Sequence, residues 1–298
     1  MNRQRLIGLL CALVLLISSA QAELYHVSGE ADVPAEWADR ETLRVTCIDT
    51  DRSDAILLEC GGEAMMVDGG SGQYRSRVYA TLDAANITTL KYLFATHSDN
   101  DHIHGFIYLI RSGLYQVDAL LSANDTTYQD ESGYHQLLVK AANAMNVPYV
   151  QIYDGDLLTL GSATIEVMRC PEAWGANARS ATCMVRLGTS RIFLTGDIDN
   201  VTMQWYAETY GDQLACNILK IPHHGLASIP QAFLEATQPQ AVFVPSTSKR
   251  CEAKFAGWAK KYLPADGVYY SGDGSVVMVT DGTDWYMWQE PNYVDPET

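Results

Sequence analysis

Three histidines and two aspartates fall within eight residues of this 298-residue chain, His97-Ser98-Asp99-Asn100-Asp101-His102-Ile103-His104. Imidazole nitrogens and carboxylates packed this closely repel like groups unless a cation sits among them. Mixed nitrogen and oxygen donors suit borderline divalent metals. Two later stretches can complete such a site. Ile192-Phe193-Leu194-Thr195-Gly196-Asp197 is an apolar run ending in a carboxylate, and Ile218-Leu219-Lys220-Ile221-Pro222-His223-His224-Gly225 is an apolar run ending in a histidine pair. The ends of separate strands are where a rigid scaffold holds a site together. Taken together, the three stretches read as a metal centre. A metal lowers the pKa of bound water from about 15.7 to about 7, and paired metals clamp attacking and departing oxygens. That chemistry suits phosphodiesters and other esters and needs no serine or cysteine nucleophile.

The motif His97-Ser98-Asp99-Asn100-Asp101-His102 resembles the HxHxDH signature of metallo-β-lactamase-fold hydrolases, with Asp99 where the second histidine usually stands. Followed by Thr195-Gly196-Asp197 and Pro222-His223-His224-Gly225, it is similar to the hydrolase domain of ComEC-type competence proteins and to secreted phosphorylcholine esterases. Cys47-Ile48-Asp49, Asp54 to Leu58 and Met66-Val67-Asp68-Gly69-Gly70 resemble the family's opening hairpin, and the likeness runs over residues 43–289. It implies an α/β (α+β) fold, a single-domain αββα four-layer sandwich. It also implies two divalent metals, zinc first, with manganese or iron as alternatives. His97 and Asp99 would hold one metal, Asp101, His102 and His224 the other, and Asp197 would bridge them. The further metal-binding histidine of other family members has no counterpart in residues 177–182, which fits the ComEC-like subgroup. Asp101 and His223 are the catalytic candidates, His223 touching the substrate or protonating the leaving group. Which of His223 and His224 is the ligand stays open. Asp68 is either an acceptor that orients a ligating histidine or a turn-capping residue before Gly69-Gly70. His104 stands where the family has glycine; it lines the mouth of the site or is a solvated loop histidine.

The elements that must position these residues follow from pattern. Leu43–Asp49, Ala55–Cys60 and Ala64–Val67 are β-like runs broken by Asp51-Arg52-Ser53 and Gly61-Gly62. Lys91–Ala95 is the strand entering the histidine cluster, which the pattern puts on a strand-to-helix loop, with a helix opening at Gly105. Gln73–Ala85, Tyr134–Met145, Asp199–Thr209, Pro230–Ala236 and Glu252–Tyr262 are predicted helices; His135 reads as an ordinary surface residue of the second. A β-rich second half runs from Tyr149 to Trp288. Strands mixed with amphipathic helices predict two facing sheets with helices outside.

Residues 1–22 read as an export signal: Arg3 and Arg5, an apolar stretch from Leu6 to Ile17, and cleavage after Ala22. A retained anchor is the alternative, although the stretch is short for a membrane span. The expected organisation is a 23–42 lead-in, a 43–289 hydrolase domain and a 290–298 tail, secreted or at the cell surface or periplasm, with no stable membrane insertion after cleavage. The formal charge is −16. So acidic a chain repels polyanions, which disfavours nucleic acid as a partner. Six cysteines follow the signal; Cys47–Cys60 and Cys170–Cys183 are the candidate disulfides, with buried free thiols as the alternative. The expected function is that of an exported phosphodiesterase using a metal-bridged hydroxide on a small or polymeric phosphodiester. An extracellular DNA nuclease and a non-catalytic ligand-binding protein on the same fold are the alternatives.

Overall fold

The computed structural model describes residues 22–171, 173–251, 257, 261–264 and 266–293. In chain order the first part comprises β1 (Leu24–His26), β2 (Leu43–Cys47), β3 (Ala55–Cys60), β4 (Glu63–Gly69), α1 (Arg75–Ala84), β5 (Thr89–Ala95), α2 (Asn100–Ser112), β6 (Gln116–Ser122), α3 (Tyr134–Ala144) and β7 (Tyr149–Gln151). The second part comprises β8 (Leu157–Leu160), β9 (Ala163–Met168), β10 (Thr182–Leu187), β11 (Ser190–Leu194), α4 (Asn200–Tyr210), β12 (Ile218–Lys220), α5 (Gln231–Thr237), β13 (Ala241–Val244), β14 (Val268–Tyr270), β15 (Val276–Thr280) and β16 (Trp285–Gln289).

These strands form two mixed sheets. One has the order β1-β16-β15-β2-β3-β4-β5-β6-β7, the other β14-β13-β12-β11-β10-β9-β8. Strand alternation explains how they pack. Ile56 and Leu58 of β3 face Ile192 and Leu194 of β11 between the sheets, while Leu57 turns outward beneath α1 to α3. Phe193 likewise turns outward, to meet Met203 and Tyr206 of α4 and Phe233 of α5. Strands covered on both faces carry near-continuous apolar runs, and the result is the expected αββα sandwich. At about 25 cal/mol per Å2, each fully buried leucine or phenylalanine contributes roughly 1.5–3 kcal/mol.

Several local expectations change. The lead-in holds a strand: β1 pairs in parallel with β16, and Trp37 packs against Val277, Val279 and Trp288 on the outer face of the sheet. The histidine cluster is not wholly a loop. Helix α2 begins at Asn100, with the amides of His102 and Ile103 donating to the Asp99 carbonyl. Ile103, Phe106, Ile107 and Ile110 anchor this helix on the sheet, and an aspartate in its first turn suits the helix dipole. Asp101 and His102 are therefore helical residues aimed by a rigid element. His135 is buried, contrary to its expected surface position; its Nε2 lies 2.8 Å from the Asp125 carbonyl oxygen. Cys47, Cys60, Cys183, Cys216 and Cys251 are free thiols, so neither candidate disulfide forms. In the β2–β3 ladder Cys47 lies opposite Ile56 and Cys60 opposite Leu43, so that candidate pair sits at opposite ends of the hairpin. Burial instead raises the Cys47 thiol to about 12.

Residues 1–21, most of the predicted 252–262 helix and residues 294–298 lie outside the described residues. No helix among the described residues is long and apolar enough to cross a membrane.

One glycine fixes how α2 meets the sheet. The Gly105 amide donates to the Gly70 carbonyl at 2.8 Å, and a Cβ on Gly105 would lie 1.8 Å from the Gly69 carbonyl oxygen. Helix propensity alone would favour alanine by about 1 kcal/mol. The backbone clash reverses that sign, and Gly105→Ala is expected to destabilise by about 2–3 kcal/mol. A thermal melt lowered by several degrees checks this; an unchanged or raised melting temperature contradicts the close approach.

Candidate metal centre

The site is assembled from strand ends and one helix start. Thr96 and His97 follow β5, Asp101 and His102 open α2, Asp197 follows β11, and His223 and His224 follow β12. Two segments adopt backbone that side chains rarely take: Asp68 at φ 55°, and His223 and His224 both at φ 51°. Such left-handed residues cost of order 1 kcal/mol or more each and persist where packing over-determines them. Here they aim a carboxylate and an imidazole into the space between the two sheets' ends.

The back nitrogen of each of three imidazoles has an oxygen partner. His102 Nδ1 lies 2.6 Å from Asp68 Oδ2, a carboxylate that also accepts from the Thr96 amide and hydroxyl at 2.9 and 2.7 Å. A carboxylate only accepts, so His102 Nδ1 carries the proton. Thr96 Oγ1 has spent its own proton on Asp68, so at 3.0 Å it accepts from His97 Nδ1. His224 Nδ1 donates to the Pro245 carbonyl at 3.0 Å.

Each ring consequently presents a bare Nε2, and all three Nε2 atoms are buried without a hydrogen-bond partner. They face carboxylates. Asp197 Oδ2 stands 3.2 Å from His102 Nε2 and 3.3 Å from His224 Nε2; Asp101 Oδ2 is 3.2 Å from His224 Nε2, and Asp99 Oδ2 is 3.6 Å from His97 Nε2. The His97 and His102 ring centres are 4.1 Å apart. Lone pairs aimed at lone pairs in a dry pocket demand a cation, either protons or metals. The donor set fits the metals: buried Asp54, His102, Asp197 and His224 offer mutually close ligand atoms, as do Asp68, His97 and His102. The cluster can bind a dinuclear metal site.

The electrostatics agree. Burial alone would lower the His102 pKa, but Asp197, Asp54 and Asp68 outweigh it and lift the imidazole well above its ordinary range. His224 behaves alike, burial opposing a larger lift from Asp197, Asp101 and Asp54. Burial raises Asp197 and Asp101, yet the facing His102 and His224 hold both below the usual carboxylate range. Metal cations would take the place of these protons.

Of the residues singled out from sequence, His97, Asp101, His102, Asp197 and His224 thus converge, with Asp99 at the rim, its side chain 41 % exposed. Asp68 stands behind His102, where an orienting acceptor would be. His223 is half-buried and turned the other way, its Nε2 3.2 Å from Asn177 Nδ2, and burial lowers its pKa. His104 is neither in the mouth nor in a loop. It sits on α2, its ring packed at a tilt against Tyr108 and Tyr134. Trp285 is core, and Trp288 packs beside Trp37. In the turn Asp51-Arg52-Ser53, Asp51 takes φ 57°, which a short polar side chain tolerates.

Two residues of the site were not singled out from sequence. Asp54 and Lys220 are each about 1 % exposed and form an ion pair at 2.7 Å beneath the histidines. Lys220 interrupts a strand otherwise apolar on both faces, and such a charge signals a buried partner.

The chain belongs to the metallo-beta-lactamase superfamily, whose family profile matches residues 48–205. Members are metal-dependent hydrolases or related enzymes. A search of curated proteins returned no match. Among solved structures, CmlA, a diiron beta-hydroxylase from Streptomyces venezuelae, is 15% identical with a TM-score of 0.46, over 69% of this chain and 44% of that one. This chain thus spans less than half the length of CmlA. The metallo-beta-lactamase fold protein YhfI from Bacillus subtilis is 13% identical, TM-score 0.49, over 76% and 95% of the two chains. A diphosphatase from the PhnP family is 13% identical, TM-score 0.45, over 78% and 94%.

Proposed function

We propose that this chain is an exported metal-dependent phosphodiesterase with a dinuclear centre, zinc being the first choice of metal. The observation that carries the reading is the convergence of three bare Nε2 atoms on Asp99, Asp101 and Asp197. In this reading His97 and Asp99 would hold one metal, Asp101, His102 and His224 the other, and Asp197 would be shared by both. His224 is preferred to His223 as ligand because its Nε2 meets Asp101 and Asp197, whereas His223 meets Asn177. Bound dications supply a water of near-neutral pKa and neutralise charge on the phosphoryl oxygens.

The chain's own residues do the rest. Asp68, Thr96 and the Pro245 carbonyl hold the three rings by their Nδ1 atoms, so that each Nε2 faces inward. With Asn177 Nδ2 donating to Nε2, the neutral His223 ring carries its proton on Nδ1. From the lip of the site that N–H can hydrogen-bond an oxygen of the substrate. The acidic composition supports a small diester over a polyanion.

Mature protein reloaded separately with zinc and manganese should cleave bis(p-nitrophenyl) phosphate or p-nitrophenyl phosphorylcholine, and Asp101→Ala should lose that activity by about 100-fold or more. Faster turnover of single-stranded DNA than of either small diester would favour the nuclease. Silence on every substrate despite bound metal would replace the enzyme with a binding protein.

A further inference from the structure

The Asp54–Lys220 pair lies outside the ligand set yet touches it from below. Asp54 Oδ1 is 3.3 Å from His224 Nδ1, and Asp54 Oδ2 is 3.7 Å from His102 Nδ1. Both contacts are to the Nδ1 side of the rings, so Asp54, although within ligand range of His102, Asp197 and His224, reaches them from behind. Lys220 is committed at the same time to the neighbouring strand end. Its Nζ donates to the Gly196 carbonyl at 2.6 Å and stands 3.6 Å from Asp197 Oδ1. The Thr195 hydroxyl returns the link by donating to the Lys220 carbonyl at 3.0 Å.

A lysine and a carboxylate so buried lose several kcal/mol each of hydration. An apolar pair of the same volume would serve stability as well or better, so stability alone does not account for them. What the pair does touch is specific: the turn that carries Asp197, and the back of His224. Asp54 also reaches α2, its amide donating to the Asp101 carbonyl at 3.2 Å. The pair thus joins β3, the start of α2, β12 and the turn after β11, which between them carry most of the proposed ligands.

We propose that Asp54 and Lys220 are positioning residues of the metal centre: Lys220 holds the Gly196–Asp197 turn so that Asp197 lies between the two metal positions, and Asp54 fixes Lys220 and the back of His224. This rests on the metallo-phosphodiesterase reading and adds residues to its site. The internal ammonium also offsets one of the buried carboxylates, keeping the negative charge of the cluster within what two dications can balance.

The test is a zinc titration of the full-length protein against a chromophoric chelator, with zinc counted by mass spectrometry. The variants are Lys220→Met, Asp54→Asn and the Asp54→Asn/Lys220→Met double, with thermal melts of each in chelator. Outer partners of metal ligands typically control affinity by about 10–100-fold. Lys220→Met should therefore bind zinc at least 10-fold more weakly and melt earlier, since it strands the Asp54 charge. The double variant removes that charge and should recover the melting temperature without recovering the affinity. A purely structural pair would move stability and leave affinity alone. Should Lys220→Met fail to fold, the double variant decides, and wild-type affinity in it overturns the proposal. A wild type that takes up no zinc fails the phosphodiesterase reading and this inference with it. A wild type that binds two zincs, with every variant matching it, overturns this inference alone.

Discussion

Asp197→Asn is expected to empty the centre of metal, to reduce diester hydrolysis by about 1000-fold and to leave the metal-free protein less stable than the wild type at mildly acidic pH. The two halves of this result have one cause. Asp197 Oδ2 faces both His102 Nε2 and His224 Nε2 at 3.2 and 3.3 Å, so it is the group that most concentrates negative charge where metals would bind. Metal-ion stabilisation is worth several kcal/mol, and each 1.4 kcal/mol is about tenfold in rate. Asparagine keeps the shape but removes the charge that lifts His102 and His224, so the metal-free variant also forfeits the attraction those histidines have for Asp197. Zinc counted by mass spectrometry, hydrolysis rate and the melting temperature in chelator read the three parts separately. Full metal content with near-normal turnover would show that Asp197 does not lie between the metals.

The second large effect concerns pH. In metal-free protein His102 and His224 sit well above their ordinary range, because surrounding carboxylates outweigh burial. A raised histidine contributes stability that is fully present below the unfolded value of about 6.5 and is lost as pH rises through the folded value. Asp101 and Asp197 are depressed despite burial. Their contribution is present above about 3.9 and is lost as pH falls through the folded value. Metal-free protein should thus be most stable at mildly acidic pH, between about 4 and 6.5, and weaken in alkali. Metal binding must displace the histidine protons, so its affinity falls in acid. The gap between metal-loaded and chelator-treated melting temperatures should therefore widen steadily from pH 5 to pH 8, reaching 10 °C or more, of order several kcal/mol of linkage. A gap that is constant or narrows with pH would contradict the assignment of Nε2 lone pairs to metal.

Where the sequence was legible, it was legible because local pattern and tertiary role coincide. Ala55–Cys60, Leu157–Leu160, Ala241–Val244, Val268–Tyr270 and Val276–Thr280 are apolar runs bounded by turn residues, and each is a strand at those residues. The six candidate metal ligands are legible for a related reason: their motifs close strands or open a helix, and strand ends are where the fold gathers them. What stayed hidden depends on partners distant in the chain. The start of α2 is written in residues whose chemistry draws attention to a loop, and only the anchoring of Ile103 and Phe106 on the sheet shows that Asn100 is already helical. His135 is polar and lies in an amphipathic helix, yet the Asp125 carbonyl satisfies it in the interior. The cysteines flank a hairpin in sequence, but strand register separates Cys47 from Cys60. Lys220 and Asp54 make sense only as a pair, and nothing local to either announces the other.

The most direct measurement is the zinc content of protein purified without chelator and then reloaded with zinc, counted by mass spectrometry against protein concentration. Two zincs per chain, with the count falling in Asp197→Asn, is the predicted result. A chain that holds no metal before or after reloading, while correctly folded, would contradict the dinuclear centre and the hydrolytic function built on it.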